Sequence, residues 1–134
     1  MQTLTTKEAK SYSSLTLAFL GDSVFEILVR EKIILNGDMK IDKLHAIKVE
    51  IVCAKFQAKA IRYILENSML SEEELSVFKR GKNSKCHAPK STDIIDYRLA
   101  TGLECLFGYL YLIGNQKRIE ELFSIVWNIY KEDF

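Results

Sequence analysis

Between Lys10 and Glu26 the only charged side chain is Asp22, and between Arg98 and Lys117 the only one is Glu104. The residues around both acids are apolar at nearly every helical angle. In the first stretch Leu15, Phe19, Asp22, Glu26, Val29 and Ile33 share one face, while Leu17, Leu20, Val24, Ile27 and Leu28 cover the opposite side. In the second, Tyr97, Thr101, Glu104, Gly108 and Tyr111 form a stripe, with Leu99, Leu103, Leu106 and Leu110 elsewhere. A helix apolar nearly all round is predicted to run through the interior of a domain. The fold must then be built around two central helices, each carrying a lone carboxylate. Loss of hydration at such a group is costly unless a partner compensates it.

The remaining sequence extends this to an all-α fold. Glycine and proline are scarce, six and one in 134 residues, and no β-branched alternation appears. Ser13 or Ser14 can cap a helix to about Leu35, closed by Asn36-Gly37. Asp42 can cap a long second helix to about Asn67. Ser71-Glu72-Glu73-Glu74 is a capping box opening a short third helix, which Gly81 is expected to stop. A loop from Lys82 to Ser91 holds Pro89. Thr92 can cap a fourth helix ending near Gly114, and Gln116 to about Lys131 makes a fifth. With no repeat or linker, residues 1–134 are expected to form a single domain of about five main helices. The apolar stretch 99–113 is short and carries Glu104 at its centre, so a core helix is predicted rather than a membrane span. The polar N-terminus has no signal-peptide pattern.

Gly21 precedes Asp22, and Gly108 lies one turn beyond Glu104. Glycine inside a helix costs roughly 1 kcal/mol against alanine, so a close approach of the two helices is the expected compensation. That approach would bring the two carboxylates together. Hard divalent cations take oxygen ligands, often one or two carboxylates plus waters and substrate phosphates. An acid pair satisfied by Arg98, a tyrosine hydroxyl or a shared proton is the alternative. Glu26, one turn after Asp22, could orient water at such a metal or simply reach the solvent.

Charge is unevenly placed. From Leu75 to Thr92 there is no acid, yet Lys79, Arg80, Lys82, Lys85 and Lys90 fall there; the other fourteen bases face all eighteen acids. With Asn83 and Ser84 as neutral donors, this segment suits a sugar-phosphate backbone. It has no interleaved aromatics for stacking on unpaired bases, so duplex geometry is favoured. A solvated charged loop is the plainer reading. Lys48, Lys55, Lys59 and Arg62 form a stripe read as the wet face of the second helix. Cys53, Cys86 and Cys105 are odd in number with no Cys-x-x-Cys pair, which suggests a reducing cytoplasm. Cys53 and Cys105 are expected to be small core residues. His45 and His87 lack ligand spacing, and no Ser/His/Asp or Cys/His arrangement is recoverable.

Phe19-Leu20-Gly21-Asp22-Ser23-Val24 resembles the core of the ribonuclease III signature. The segment from Leu103 to Leu112 resembles that family's second acidic helix, and Lys79-Arg80-Gly81-Lys82 its basic turn. With Arg80-Gly81-Lys82-Asn83-Ser84-Lys85, Pro89-Lys90-Ser91-Thr92-Asp93 and Tyr97-Arg98, the chain is most similar to the compact bacterial branch, the Mini-ribonucleases III. That branch lacks the double-stranded-RNA-binding domain of longer members.

The resemblance implies a homodimeric endoribonuclease that cuts double-stranded RNA with Mg²⁺, Mn²⁺ substituting, and matures the ends of 23S ribosomal RNA precursors. By motif position Asp22 and Glu104 would be catalytic and hold metal, with Glu26, Thr101 and Arg98 around them. Water activated by the metal would attack phosphorus, leaving 5′-phosphate and 3′-hydroxyl ends. Lys79, Arg80, Lys82, Asn83, Lys85 and Lys90 would track RNA phosphates. Long members carry two further acids; here Ala18 and Thr101 stand in their places, a pattern usual for the compact branch that leaves a thinner metal shell. A small enzyme of this kind would rely on substrate shape or on a bound ribosomal protein. The alternatives are a non-catalytic duplex-RNA-binding dimer that chaperones a precursor stem, and a helical interaction protein whose acids are protonated or hydrogen-bonded.

Overall fold

In the computed structural model, which describes residues 2–85 and 87–133, every regular element is a helix. They run α1 (Thr6–Lys10), α2 (Ser14–Leu35), α3 (Ile41–Val52), α4 (Ala54–Glu66), α5 (Glu72–Lys82), α6 (Ile94–Leu112) and α7 (Gln116–Asp133). The central element is α6, against which α2, α5, α4, α7 and α1 all pack. It is buried on every side from Leu99 to Leu110 except at Glu104 and so meets its expectation.

The other apolar helix does not. α2 buries Leu17, Ala18, Gly21, Val24, Phe25, Val29 and Ile33 against its neighbours. It leaves Phe19 81% and Ile27 63% exposed, with Leu15, Ile34 and Leu35 also outside. The reason is topological: α6 and α3 cover one flank of α2, and among the described residues nothing lies over the other.

Several boundaries follow local chemistry. Ser13 caps α2 by accepting from the Thr16 N–H at 3.1 Å. Asn36 and Gly37, the latter at φ +136°, close it. The Ser71 capping box forms: its hydroxyl accepts from the Glu74 N–H at 3.1 Å and Glu74 Oε1 from the Ser71 N–H at 2.9 Å. Others differ from expectation. The long second helix is two, broken where Cys53 adopts an extended backbone (φ −68°, ψ 151°). It starts after Lys40, with Asp42 already inside the first turn. The α6 cap is Asp93, whose carboxylate accepts from the N–H groups of Ile95 and Asp96, rather than Thr92. Cys53, at the break, is exposed and not a core residue; Cys105 is buried as expected. Cys86 lies outside the described residues.

Gly81 does not stop α5; it sits one residue before the end, where a Cβ would come within 2.6 Å of the Cys105 Cβ and 3.0 Å of Gly102 Cα. On α6, Gly102 is packed the same way under Phe78. The core where α2, α6 and α7 meet is aromatic, with Phe25 tilted against Phe107 at 5.7 Å and edge-on to Phe123 at 5.8 Å.

Candidate active site

The contact between α2 and α6 is a backbone seam. A Cβ on Gly21 would overlap the Glu104 carbonyl oxygen and stand 2.8 Å from Gly108 N; a Cβ on Gly108 would overlap the Leu17 carbonyl. Both glycines are where the sequence asked for a close approach, and the residue after the first of them is Asp22. Across the seam the Glu104 carboxyl lies close enough to Asp22 to feel its charge.

The two acids differ in environment. Asp22 is exposed, which corrects the expectation of two interior carboxylates: it stands on the uncovered flank of α2. Glu104 is largely buried. Burial and then the charge of Asp22 push its carboxyl up to about 8, while the Gln57 amide pulls the other way. Two carboxylates crowded at one site resist double ionisation, and a cation between them removes that penalty. Among the described residues no group of three or more Asp, Glu, His or Cys side chains converges. A two-carboxylate donor set fits a hydrated hard cation such as Mg²⁺, which keeps several waters, and not a closed protein cage.

The side chains expected around the pair are differently committed. Thr101 is buried and its hydroxyl donates to the Tyr97 carbonyl at 2.8 Å, back-bonding within its own helix. Glu26 is partly buried and ion-paired with Arg30 at 2.8 Å and with Lys48 of α3 at 3.2 Å. Those bases outweigh its desolvation and hold its carboxyl below the ordinary glutamate range. Arg98 lies exposed on α6, two turns before Glu104 with Thr101 between. Asp22, Ser23, Glu26, Ile27 and Arg30 line a shallow cavity of about 290 Å³ beside the pair.

The basic segment occupies the last turn of α5 and the loop beyond it. Lys79, Lys82, Lys85 and Lys90 are exposed, and Asn83 is the C-cap of α5. Positive side chains there also complement the negative end of the helix dipole. Arg80 is partly spent on the fold: Nη1 donates to the Lys10 carbonyl at 3.1 Å and Nη2 to that of Tyr12 at 3.0 Å, fastening the α1–α2 turn. The stripe on α3 and α4 behaves as a wet face stitched to its surroundings. Besides Lys48 to Glu26, Lys59 pairs with Asp133 and Arg62 with Asp96.

One residue at the pair was missed from sequence. Gln57 is 2% exposed, and its Nε2 donates to Glu104 Oε2 at 3.4 Å. The signal was present: Gln57, Ile61 and Ile64 fall on one buried stripe of α4, an uncharged polar group in an apolar setting.

Comparison with known proteins agrees with this architecture. The Ribonuclease III domain model matches residues 15–115. A Mini-ribonuclease 3 of Clostridium tetani is 43% identical over 130 residues, covering 96% of this chain and 85% of the relative. One from Enterococcus faecalis is 40% identical over 126 residues, covering 93% and 94%. A crystal structure of a protein from Fusobacterium nucleatum superposes with a TM-score of 0.79 at 35% identity, over 86% of this chain and 93% of that one.

Proposed function

The chain belongs to the ribonuclease III family, as an endoribonuclease of double-stranded RNA, and on that premise we propose a magnesium-dependent homodimer that matures the ends of 23S ribosomal RNA precursor. The observation that carries the metal assignment is the meeting of Asp22 and Glu104 across the glycine seam. These two carboxylates would hold the cation. When bound, it would neutralise charge on the scissile phosphate and activate water for attack at phosphorus.

The protein's own residues supply the rest. Asp22, being exposed, offers its carboxylate to an ion arriving with the RNA, while Glu104 stands behind it. Once Glu104 has given up its proton, both carboxylates are acceptors and would hold the cation between them. Glu26, held by Arg30 and Lys48, keeps a fixed negative charge in the adjoining cavity. Lys79, Lys82, Lys85 and Lys90, with Asn83, would meet phosphates on one flank, Arg80 contributing the part of its fork not used on the α1–α2 turn. No helix among the described residues is long and apolar enough to cross a membrane. A cytoplasmic setting, where precursor RNA is found, belongs to the same reading, as does an accessory ribosomal protein.

The homodimer reading rests on α2. A side chain the size of phenylalanine gains about 1.5–3 kcal/mol on burial, and Phe19 and Ile27 forgo most of that in the isolated chain. A second copy laid over this flank would cover them and set two Asp22 carboxylates beside one shared duplex.

Asp22→Asn preserves shape and removes the charge. With Mg²⁺ and a precursor stem as substrate, its cleavage rate should fall at least about 100-fold with duplex binding retained. Cleavage by Asp22→Asn at the wild-type rate would refute the metal assignment.

A further inference from the structure

Gln57 is the buried polar group that neither the carboxylate pair nor the basic segment explains. Its Nε2 donates to the Val52 carbonyl at 2.9 Å and to Glu104 Oε2 at 3.4 Å. Its Oε1, fully buried, accepts from no donor among the described residues. The orientation of the amide is set by the Val52 carbonyl, which can only accept, so a flipped amide would set oxygen against oxygen there. A buried oxygen left unmatched is expensive to the fold, whereas an apolar side chain of equal length would carry no such penalty. Stability accounts for the amide nitrogen, which donates to the Val52 carbonyl, but not for the unmatched oxygen.

Its position suggests what does. The Val52 carbonyl belongs to the last residue of α3, immediately before the extended backbone of Cys53. One amide therefore ties the break between α3 and α4 to the carboxylate on α6. The amide oxygen is bonded to the same carbon as Nε2, which donates to Glu104. We propose that Gln57 is a positioning residue for the metal site: Nε2 fixes the Glu104 carboxylate in the orientation that ligates the cation, and Oε1 accepts from the cation's hydration water. This rests on Asp22 and Glu104 being the ligands. Ligands held by a second layer of hydrogen bonds are the general rule in metal sites, and losing such a bond typically weakens metal affinity 10–100-fold.

The test uses Mn²⁺ as probe on the RNA-free protein, with free ion counted by electron paramagnetic resonance. Gln57→Met keeps the length of the side chain and removes both polar ends. Its Mn²⁺ dissociation constant should rise about tenfold or more, and the Mg²⁺ concentration for half-maximal cleavage should rise in parallel, with duplex binding in Ca²⁺ unchanged. A merely structural glutamine would lower the denaturation midpoint and leave the Mn²⁺ constant alone. A second measurement needs no variant: in ¹⁵N-labelled wild-type protein, saturating Mg²⁺ should move the side-chain amide resonance of Gln57 but not those of surface Gln2 and Gln116. Unchanged Mn²⁺ affinity in Gln57→Met, or a stationary Gln57 resonance, overturns the proposal. Asp22→Asn run alongside separates the two claims. If it binds Mn²⁺ like wild type, the ligand assignment has failed; if it loses binding while Gln57→Met does not, only the role of Gln57 has.

Discussion

Glu104 is where the chemistry of a single residue reaches furthest into the behaviour of the protein. Its carboxyl is raised to about 8 by burial and by Asp22, so the folded state holds a proton there that the unfolded chain gives up near the ordinary glutamate value. Native protein thus binds more protons than unfolded protein between those limits, and stability must fall as pH rises through them. Metal-free protein should lose thermal stability from about pH 5 to pH 8, and Glu104→Gln should flatten that slope. Denaturation curves across this range with a chelator present check it; Mg²⁺ should flatten the slope in wild type too. The carboxylates themselves were legible because each is the lone charge in an apolar run. The exposure of Asp22 was not, since a periodicity shows which faces are apolar and not which of them a single chain can cover. Gln57 escaped for a related reason: an uncharged amide in an apolar stripe stands out less than a charge.

At the scale of elements the seam between α2 and α6 decides whether a site exists. The backbones touch at Gly21 and Gly108, so a single methyl has nowhere to go. Gly108→Ala should destabilise the protein by about 3 kcal/mol or more, at the upper end of the cost of overpacking, because the obstacle is the Leu17 carbonyl and not a flexible side chain. Urea denaturation of that variant measures it. A second test lies at the far end of α5. There Arg118 grips the buried Glu74 carboxylate with two bonds, 2.8 and 2.9 Å, and donates to the Met69 carbonyl at 2.5 Å. Burial works to raise the Glu74 carboxyl, but Arg118 and the Ser71 cap outweigh it and hold it low. Arg118→Met should cost about 3–5 kcal/mol by stranding that carboxylate. Most helix limits followed from the sequence because caps are local: Ser13, Ser71 and Asn36-Gly37 act within a few residues. The break at Cys53 was illegible because no glycine or proline marks it. It is a tertiary feature, where the Gln57 amide donates to the Val52 carbonyl just before the extended Cys53.

For the molecule as a whole, charge and hydrophobicity are divided between surfaces. The lysines after α5 give one flank its positive potential. If they track phosphates, Lys82→Ala and Lys85→Ala should each weaken duplex binding about equally for all sequences and reduce the log–log salt slope by about one. Filter binding from 50 to 200 mM salt would read this. The apolar flank of α2 is the other surface, and Phe19→Glu should leave the chain folded but monomeric in analytical ultracentrifugation. The fold class followed from composition and helical periodicity. The open apolar flank could not be read that way, because sequence alone does not separate burial within a chain from apolar surface left outside it.

Phe19, Ser23 and Ile27 flank Asp22 along that open face, within about a turn or so of it, so whatever settles there also sets the edge of the reaction chamber. If a second copy is what settles there, as proposed, catalytic competence becomes a matter of stoichiometry. Turnover per chain should decline on dilution below the dimer dissociation constant, and the decline should be steepest when little substrate is present to hold two copies together. An enzyme of this design would be throttled by its own abundance, with precursor RNA acting as both substrate and assembly template.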